Sequence, residues 1–278
     1  MNTELAEIIR VMSQAHGRDI SWYDESFLAQ ALEKRRAVTA SQTAAAYLAY
    51  LAENSAEAAE LFRSLHITYS EFFRDPLAFA LLEHVILPRL VAEKSGRAEI
   101  RIWSAGCAAG QEPYSVALLL DDLARAREQP IPHRIFATDQ SEAELAAARQ
   151  GVYAAAAVQN VRLRHLHDYF TQQGETYTIS ARLRDRLDFS IHDLLDLRFA
   201  SPRVSIYGDF DIVFCSNLLF YYQPDIRQFI LDQVYHALSP HGYLVTGAAE
   251  TAIVEQASGF QAVNWPAAVL QKTKPRVR

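Results

Sequence analysis

From Glu99 onward this 278-residue chain alternates short apolar runs with helical stretches, and that alternation restricts the fold more than any other feature of the sequence. The runs are EIRIWSA, HRIFATD, LDFSIHD, DFDIVFC and HGYLVTG; helical segments begin near Gln111, at Ser141 and after Pro224. Strands joined by helical crossovers must run parallel, with helices packed on both faces of the sheet. Strands covered on both faces read as continuous apolar runs, which is the pattern here. Two further runs, around Phe260 to Asn264 and Ala267 to Lys272, are separated only by Trp265-Pro266, a spacing compatible with an antiparallel pair on the sheet edge.

Residues 1 to about 62 follow a different rule. Their apolar positions recur at helical spacing, strand-like alternation is missing, and Ala44 to Ala59 is alanine-rich, so a small all-helical domain of roughly two to four helices is expected. A helix over Phe79 to Val91 then leads through a turn at Lys94-Ser95-Gly96 into the α/β part. Between Gly151 and Arg186 the alternation lapses into a helical stretch and then QQGETYTISARLRD, where Gly174-Glu175 is placed to turn a hairpin. The expected organisation is a helical domain over 1–62 and an α/β domain over 63–278, the latter carrying a small β subdomain at about 170–190.

Half of the residues are apolar, enough for a large core. The net charge of −6 disfavours non-specific attraction to nucleic acid. Residues 1–20 mix acids and bases, and no run of about 18 apolar residues occurs, so neither a signal peptide nor membrane insertion is expected and a cytoplasmic setting is inferred. Cys107 and Cys215 make no disulfide framework, and His165 and His167 lack the companions of a metal site. The basic run Lys34-Arg35-Arg36 reads as a solvated helix face.

The segment RIWSAGCAAGQEPYSVALLL holds a buried strand ending in Ser104-Ala105-Gly106 and a second glycine, Gly110, before a helix. Glycines at such a turn admit a ligand close to the backbone, and they also serve plain steric needs. The next strand ends in Asp139, where α/β folds place an acid to accept hydrogen bonds from ribose hydroxyls; capping of the following helix by Asp139 or Ser141 is the alternative.

These elements, with Ser70-Glu71-Phe72-Phe73-Arg74, Trp103 to Ser115, Ala137-Thr138-Asp139 and Cys215-Ser216-Asn217-Leu218-Leu219-Phe220-Tyr221-Tyr222, resemble the CheR family of chemotaxis receptor methyltransferases over nearly the whole chain. The resemblance implies a Rossmann-like domain dependent on S-adenosyl-L-methionine (SAM), with a small β insertion and a helical N-terminal domain. It implies an enzyme that methyl-esterifies glutamates on the cytoplasmic domain of methyl-accepting chemotaxis receptors and releases S-adenosyl-L-homocysteine (SAH). Carried over by motif, the cofactor-binding positions are Thr68, Ser70, Arg74, Gly106, Glu112, Asp139, Asp193, Leu194, Ser216 and Asn217. Asp139 would take the ribose, Glu112, Ser70 and Thr68 the methionine end, and Asp193 with Leu194 the adenine edge. Arg74 and Tyr221 are the expected catalytic pair, with the Arg74 guanidinium suited to a carboxylate.

The acceptor in such a reaction is a carboxylate ionised at neutral pH, so no general base is required and no metal or Ser-His-Asp set is expected. The chain departs from the family pattern in three places. Ala29-Gln30 stands where a basic pair is usual, and residues 1–62 hold five Lys or Arg against nine Asp or Glu. Ser216-Asn217 replaces an Arg-Asn pair and Asp193 an asparagine. The turn at Gly174 is short for docking a tethering peptide by strand addition.

Overall fold

The alternation after Glu99 becomes a seven-stranded sheet. In chain order the strands are β1 (Ile100–Ala105), β2 (His133–Asp139), β3 (Val152–Ala154), β4 (Phe170–Gln173), β5 (Thr176–Ile179), β6 (Leu187–Ile191), β7 (Phe210–Phe214), β8 (Leu238–Val245), β9 (Phe260–Ala262) and β10 (Val269–Lys272). This computed structural model describes every residue except 1–2, 95–97, 197, 200, 206–207, 258 and 275–278, so Ser95 and Gly96 of the expected turn lie outside the described residues.

The large sheet runs β6-β2-β1-β7-β8-β10-β9. Its first five strands are parallel, and β10 pairs antiparallel with both β8 and β9. The chain leaves β1 towards β2 on one side and returns to β7 on the other. Strand order therefore reverses between β1 and β7, the position where open α/β sheets bind ligands beyond the carboxyl ends of their strands.

The chain divides into two compact units. One contains the described residues up to Ile67 together with Leu219–Gln228. Its helices α1 (Thr3–His16), α2 (Glu25–Val38), α3 (Ala44–Glu53) and α4 (Ser55–Ser64) enclose Ile8, Met12, Leu28, Tyr47, Leu51 and Leu61. Asp24, Thr43 and Asn54 cap α2, α3 and α4 by accepting from first-turn N–H groups. Arg35 is not on a solvated face. Buried Glu57 draws it inward by accepting from Arg35 Nε at 2.9 Å and from the Tyr47 hydroxyl at 2.9 Å, because a buried carboxylate needs partners. Leu219–Gln228 joins this unit through Asp24 N–H to Tyr221 O (2.8 Å), Gln223 N–H to Trp22 O (2.9 Å) and stacking of Tyr23 on Tyr222.

The second unit contains the described residues of 68–218 and 229–278. Its helices are α5 (Pro76–Leu81), α6 (Leu87–Glu93), α7 (Gln111–Ala126), α8 (Glu142–Gln150), α9 (Leu163–Tyr169), α10 (Ala181–Arg184), α11 (Pro224–Ala237, whose first turn lies in the helical unit) and α12 (Thr251–Gln256). Between α5 and α6 the helix widens over Leu82–Ile86 and Leu87 N–H reaches Leu82 O, one residue short of Pro88, which has no N–H to give. Helix α7 is buried over most of its length against the sheet. A second sheet, β3-β5-β4, takes in Val152–Ala154 as well as the hairpin at Gly174, while β6 belongs to the large sheet. Among the described residues no helix is long and apolar enough to cross a membrane.

Candidate active site

Strand β1 ends in a tight loop. Gly106 has φ of 79°, and a Cβ there would sit 3.2 Å from Leu218 Cδ2; Gly110, at φ 90°, opens α7 and has the Tyr114 ring 3.1 Å from the place of a Cβ. Both turns therefore require glycine for conformation and space. The loop is tied to β2. Gly106 N–H and Cys107 N–H both donate to Thr138 O at 2.8 and 2.9 Å, and the Trp103 indole donates to Thr138 Oγ1 at 2.9 Å.

Asp139 completes this attachment by accepting from Ala108 N–H through Oδ2 (2.9 Å) and from Ser141 N–H through Oδ1 (2.9 Å). Ser141 is the N-cap of α8, accepting from Glu144 N–H, so the capping alternative falls to Ser141 and leaves Asp139 at the strand end. An ionised carboxylate has about four acceptor positions, and two N–H groups leave capacity for further donors such as a pair of hydroxyls.

Glu112 lies in the first turn of α7 and accepts from Ser104 Oγ–H at 2.7 Å. Burial pushes its carboxyl up to about 7, against the opposing pull of the Ser104 and Ser216 hydroxyls and of the Arg74 charge, while the Glu250 charge adds to the rise. No cation stands within ion-pair distance of Glu112 among the described residues. A desolvated carboxyl of this kind is ready-made for a cationic ligand group, whose arrival restores its ionised form.

The preceding segment supplies Thr68, exposed, and Ser70, half-buried. Arg74 is exposed, donates from Nη1 to Tyr69 O at 3.1 Å and lies 5.1 Å from the centre of the Tyr69 ring. Arg74 makes no ion pair among the described residues, and it is Asp75 that caps α5. Phe73, at φ 52°, is held by its N–H donating to Ser115 Oγ at 3.0 Å.

After β7, Cys215 N–H donates to Val245 O at 2.9 Å and the Ser216 hydroxyl to the same oxygen at 3.3 Å. Asn217 follows at φ 61°. At the far end, Asp193 is exposed and among the described residues its carboxylate accepts only locally, from Leu195 N–H at 2.9 Å; Leu194 is half-buried. His192 N–H to Asp139 O (3.1 Å) places that end of β6 beside β2.

The candidate cofactor residues thus all lie in the α/β unit, and Gly106, Glu112, Asp139, Ser216 and Asn217 share the carboxyl edge of the central strands. Tyr221 lies in the helical unit, with its ring 4.7 Å from Phe27. Sequence reasoning did not single out Ser104, Ser115 as a partner of Phe73, or Glu250. The first two lie inside the glycine-loop motif, but Glu250 follows two alanines in a short turn and carries no signal of its own.

Residues 68–269 match the family described as CheR methyltransferase, SAM binding domain. The chain is 35% identical over 183 residues to chemotaxis protein methyltransferase 1 of Pseudomonas aeruginosa, covering 64% of this chain and 64% of that one. It is 27% identical over 253 residues to the chemotaxis protein methyltransferase of Borreliella burgdorferi, covering 89% and 88%. It is 30% identical over 272 residues to an uncharacterised 104.1 kDa protein of Rhodobacter capsulatus, covering 98% of this chain and 28% of that protein. The chain therefore spans less than two thirds of the Pseudomonas and Rhodobacter relatives.

Proposed function

We propose, on the premise that this chain belongs to the CheR methyltransferase family, that it transfers a methyl group from SAM to glutamate side chains of chemotaxis receptors, yielding glutamate methyl esters and SAH. The observation that carries this reading is the desolvated carboxyl of Glu112, without an ion-pair partner among the described residues, beside a loop whose two positive-φ glycines pack tightly on Leu218, Ala148 and Tyr114. Bound SAM supplies a methyl group on a positively charged sulfur and an ammonium group. Glu112 then faces a cation, Asp139 accepts from the ribose hydroxyls, and Gly106 lets the backbone approach the ligand. Thr68, Ser70, Asp193, Leu194, Ser216 and Asn217 are assigned the remaining polar and adenine contacts.

The acceptor glutamate is ionised at neutral pH, so the protein has to orient and desolvate it instead of removing a proton. Holding two reactants in line is worth roughly 7 kcal/mol or more. Arg74 has three donor nitrogens, of which Nη1 binds Tyr69 O, so the guanidinium keeps donors for a carboxylate. Tyr221 is assigned a role in the transfer step that a Tyr221→Phe variant tests separately from cofactor binding.

The test is incubation with methyl-labelled SAM and a purified receptor cytoplasmic domain, followed by alkali. Label that enters the receptor and is released by base as volatile methanol supports a glutamate ester. A second reading, another protein as acceptor, is favoured by the excess of acids over bases in residues 1–62, which suits an acidic partner poorly. It predicts label in other proteins and none in receptors.

A further inference from the structure

The most enclosed carboxylate of the α/β unit is one that no motif marks. Glu250 is fully buried, and three donors converge on its Oε2: Asn217 N–H at 2.6 Å, Gly247 N–H at 3.0 Å and the Thr246 hydroxyl at 3.1 Å. Asn217 is the residue that needs such a hold. It sits directly beyond β7 with φ of 61°, a conformation that costs an L-residue energy unless its surroundings impose it. Gly247 also lies close against the Asn217 side chain: a Cβ on Gly247 would sit 2.9 Å from Asn217 Oδ1 and 3.0 Å from Glu250 Oε2. Gly247 itself has φ of −72°, so its missing side chain serves space and not backbone conformation.

We propose that Glu250 is a positioning residue for the cofactor site, locking Asn217 into its left-handed turn at the end of β7 and, with Gly247, setting where the Asn217 amide points. The inference rests on the reading of this edge as a SAM site. Glu250 acts through Asn217 and also through its charge, since it is one of the groups that raise Glu112. The other charged group acting on Glu112 is Arg74, which opposes the rise; the buried thiols of Cys107 and Cys215 are pushed up by burial and, further, by the negative charges of Glu112 and its neighbours. A purely structural Glu250 would leave the protonation of Glu112 and the ligand affinity alone.

Two mild substitutions separate these possibilities. Glu250→Gln keeps the shape and one acceptor but removes the charge; Gly247→Ala keeps the charge and presses on the Asn217 amide. SAH affinity is measured by calorimetry from about pH 6 to 8, with thermal unfolding and amide hydrogen exchange at Asn217 on the same preparations. Both variants should bind SAH about tenfold more weakly. Glu250→Gln alone should move the pH midpoint of binding downward, because Glu112 then ionises more easily, and should speed exchange of the Asn217 amide. Wild-type affinity and pH midpoint in both variants, with only melting temperature lowered, would overturn the proposal. If the wild-type protein binds no SAH, the SAM reading fails on its own; the Asn217 lock is then judged by amide exchange, and unchanged protection in Glu250→Gln refutes it.

Discussion

The carboxyl ends of β1 and β6 lie on the same edge of one sheet, separated by a single strand, yet they hold their polar residues by opposite means. Beyond β1, each group is gripped by a neighbouring element: Gly106 and Cys107 by Thr138, Ala108 by Asp139, Glu112 by Ser104. Beyond β6, Asp193 is exposed and, among the described residues, bonded only to the N–H two residues on. Packing from several elements excludes water and raises the Glu112 carboxyl, whereas beyond β6 it is hydrogen bonds from the nearby Arg198 that hold the Asp196 carboxyl low. We assign the contact with a cationic ligand group to the desolvated β1–β7 side, and the lesser contacts to Asp193 and Leu194 on the β6 side.

The largest effect should come from Arg74. Arg74→Ala is expected to lower single-turnover methyl transfer by about a hundredfold or more while melting temperature stays near wild type, since orientation of the acceptor is lost and no ion pair is broken. Arg74→Lys should recover only part of the rate, because the planar two-point grip is missing. Full recovery by lysine would reduce Arg74 to a general positive field.

Asp139→Ala comes next. It should weaken SAH binding by about 1–3 kcal/mol, seen by calorimetry, and should also lower melting temperature, because Ala108 N–H loses its partner in a largely buried loop. Loss of stability with unchanged affinity would confine Asp139 to holding the loop and would break the comparison on its β1–β2 side.

Glu112→Gln sharpens it by sign. Burial pushes Glu112 up to about 7 from an ordinary 4.5, so the folded state prefers the protonated form. The ligand-free protein accordingly loses stability as pH climbs from about 4.5 to 7, by at most roughly 3 kcal/mol. The Gln variant should escape that loss and be more stable than wild type near pH 8, yet bind SAH more weakly and with less dependence on pH. Thermal scans and calorimetry at the two ends of that range check both halves. Asp193→Ala should change affinity by only about 0.5 kcal/mol, and a loss as large as that of Asp139→Ala would show that the exposed rim is an equal partner.

Much of this edge was legible in the sequence because it is written in local patterns. Buried strands announce themselves as apolar runs, and all five runs after Glu99 lie in the large sheet, as does the antiparallel pair of Phe260–Ala262 with Val269–Lys272. The places of Gly106 and Asp139 at the ends of β1 and β2 were readable because each closes an apolar run. Leu219–Gln228 is different: its residues continue the β7 segment in sequence, and their membership in the helical unit depends on Tyr222 meeting Tyr23, which no spacing records. Arg35 misled for a related reason, since its partner Glu57 lies on another helix. Glu250 was invisible because, of its three donors, Thr246 and Gly247 are local and only the fold brings in Asn217, the one that ties it to this edge.

Half-buried carboxylates at the β1–β7 switch point, Glu112 and Asp139, are proposed here to form a site for a cationic nucleoside. That site is tested most directly by titrating the wild-type protein with SAH at about pH 6 and about pH 8, in buffers of differing ionisation enthalpy. Binding should be tighter at the higher pH, with protons released on binding at the lower pH as Glu112 gives up its proton to meet the ligand's ammonium group. Absence of binding at millimolar SAH at either pH, or binding with no proton release and no pH dependence, would contradict the proposed site.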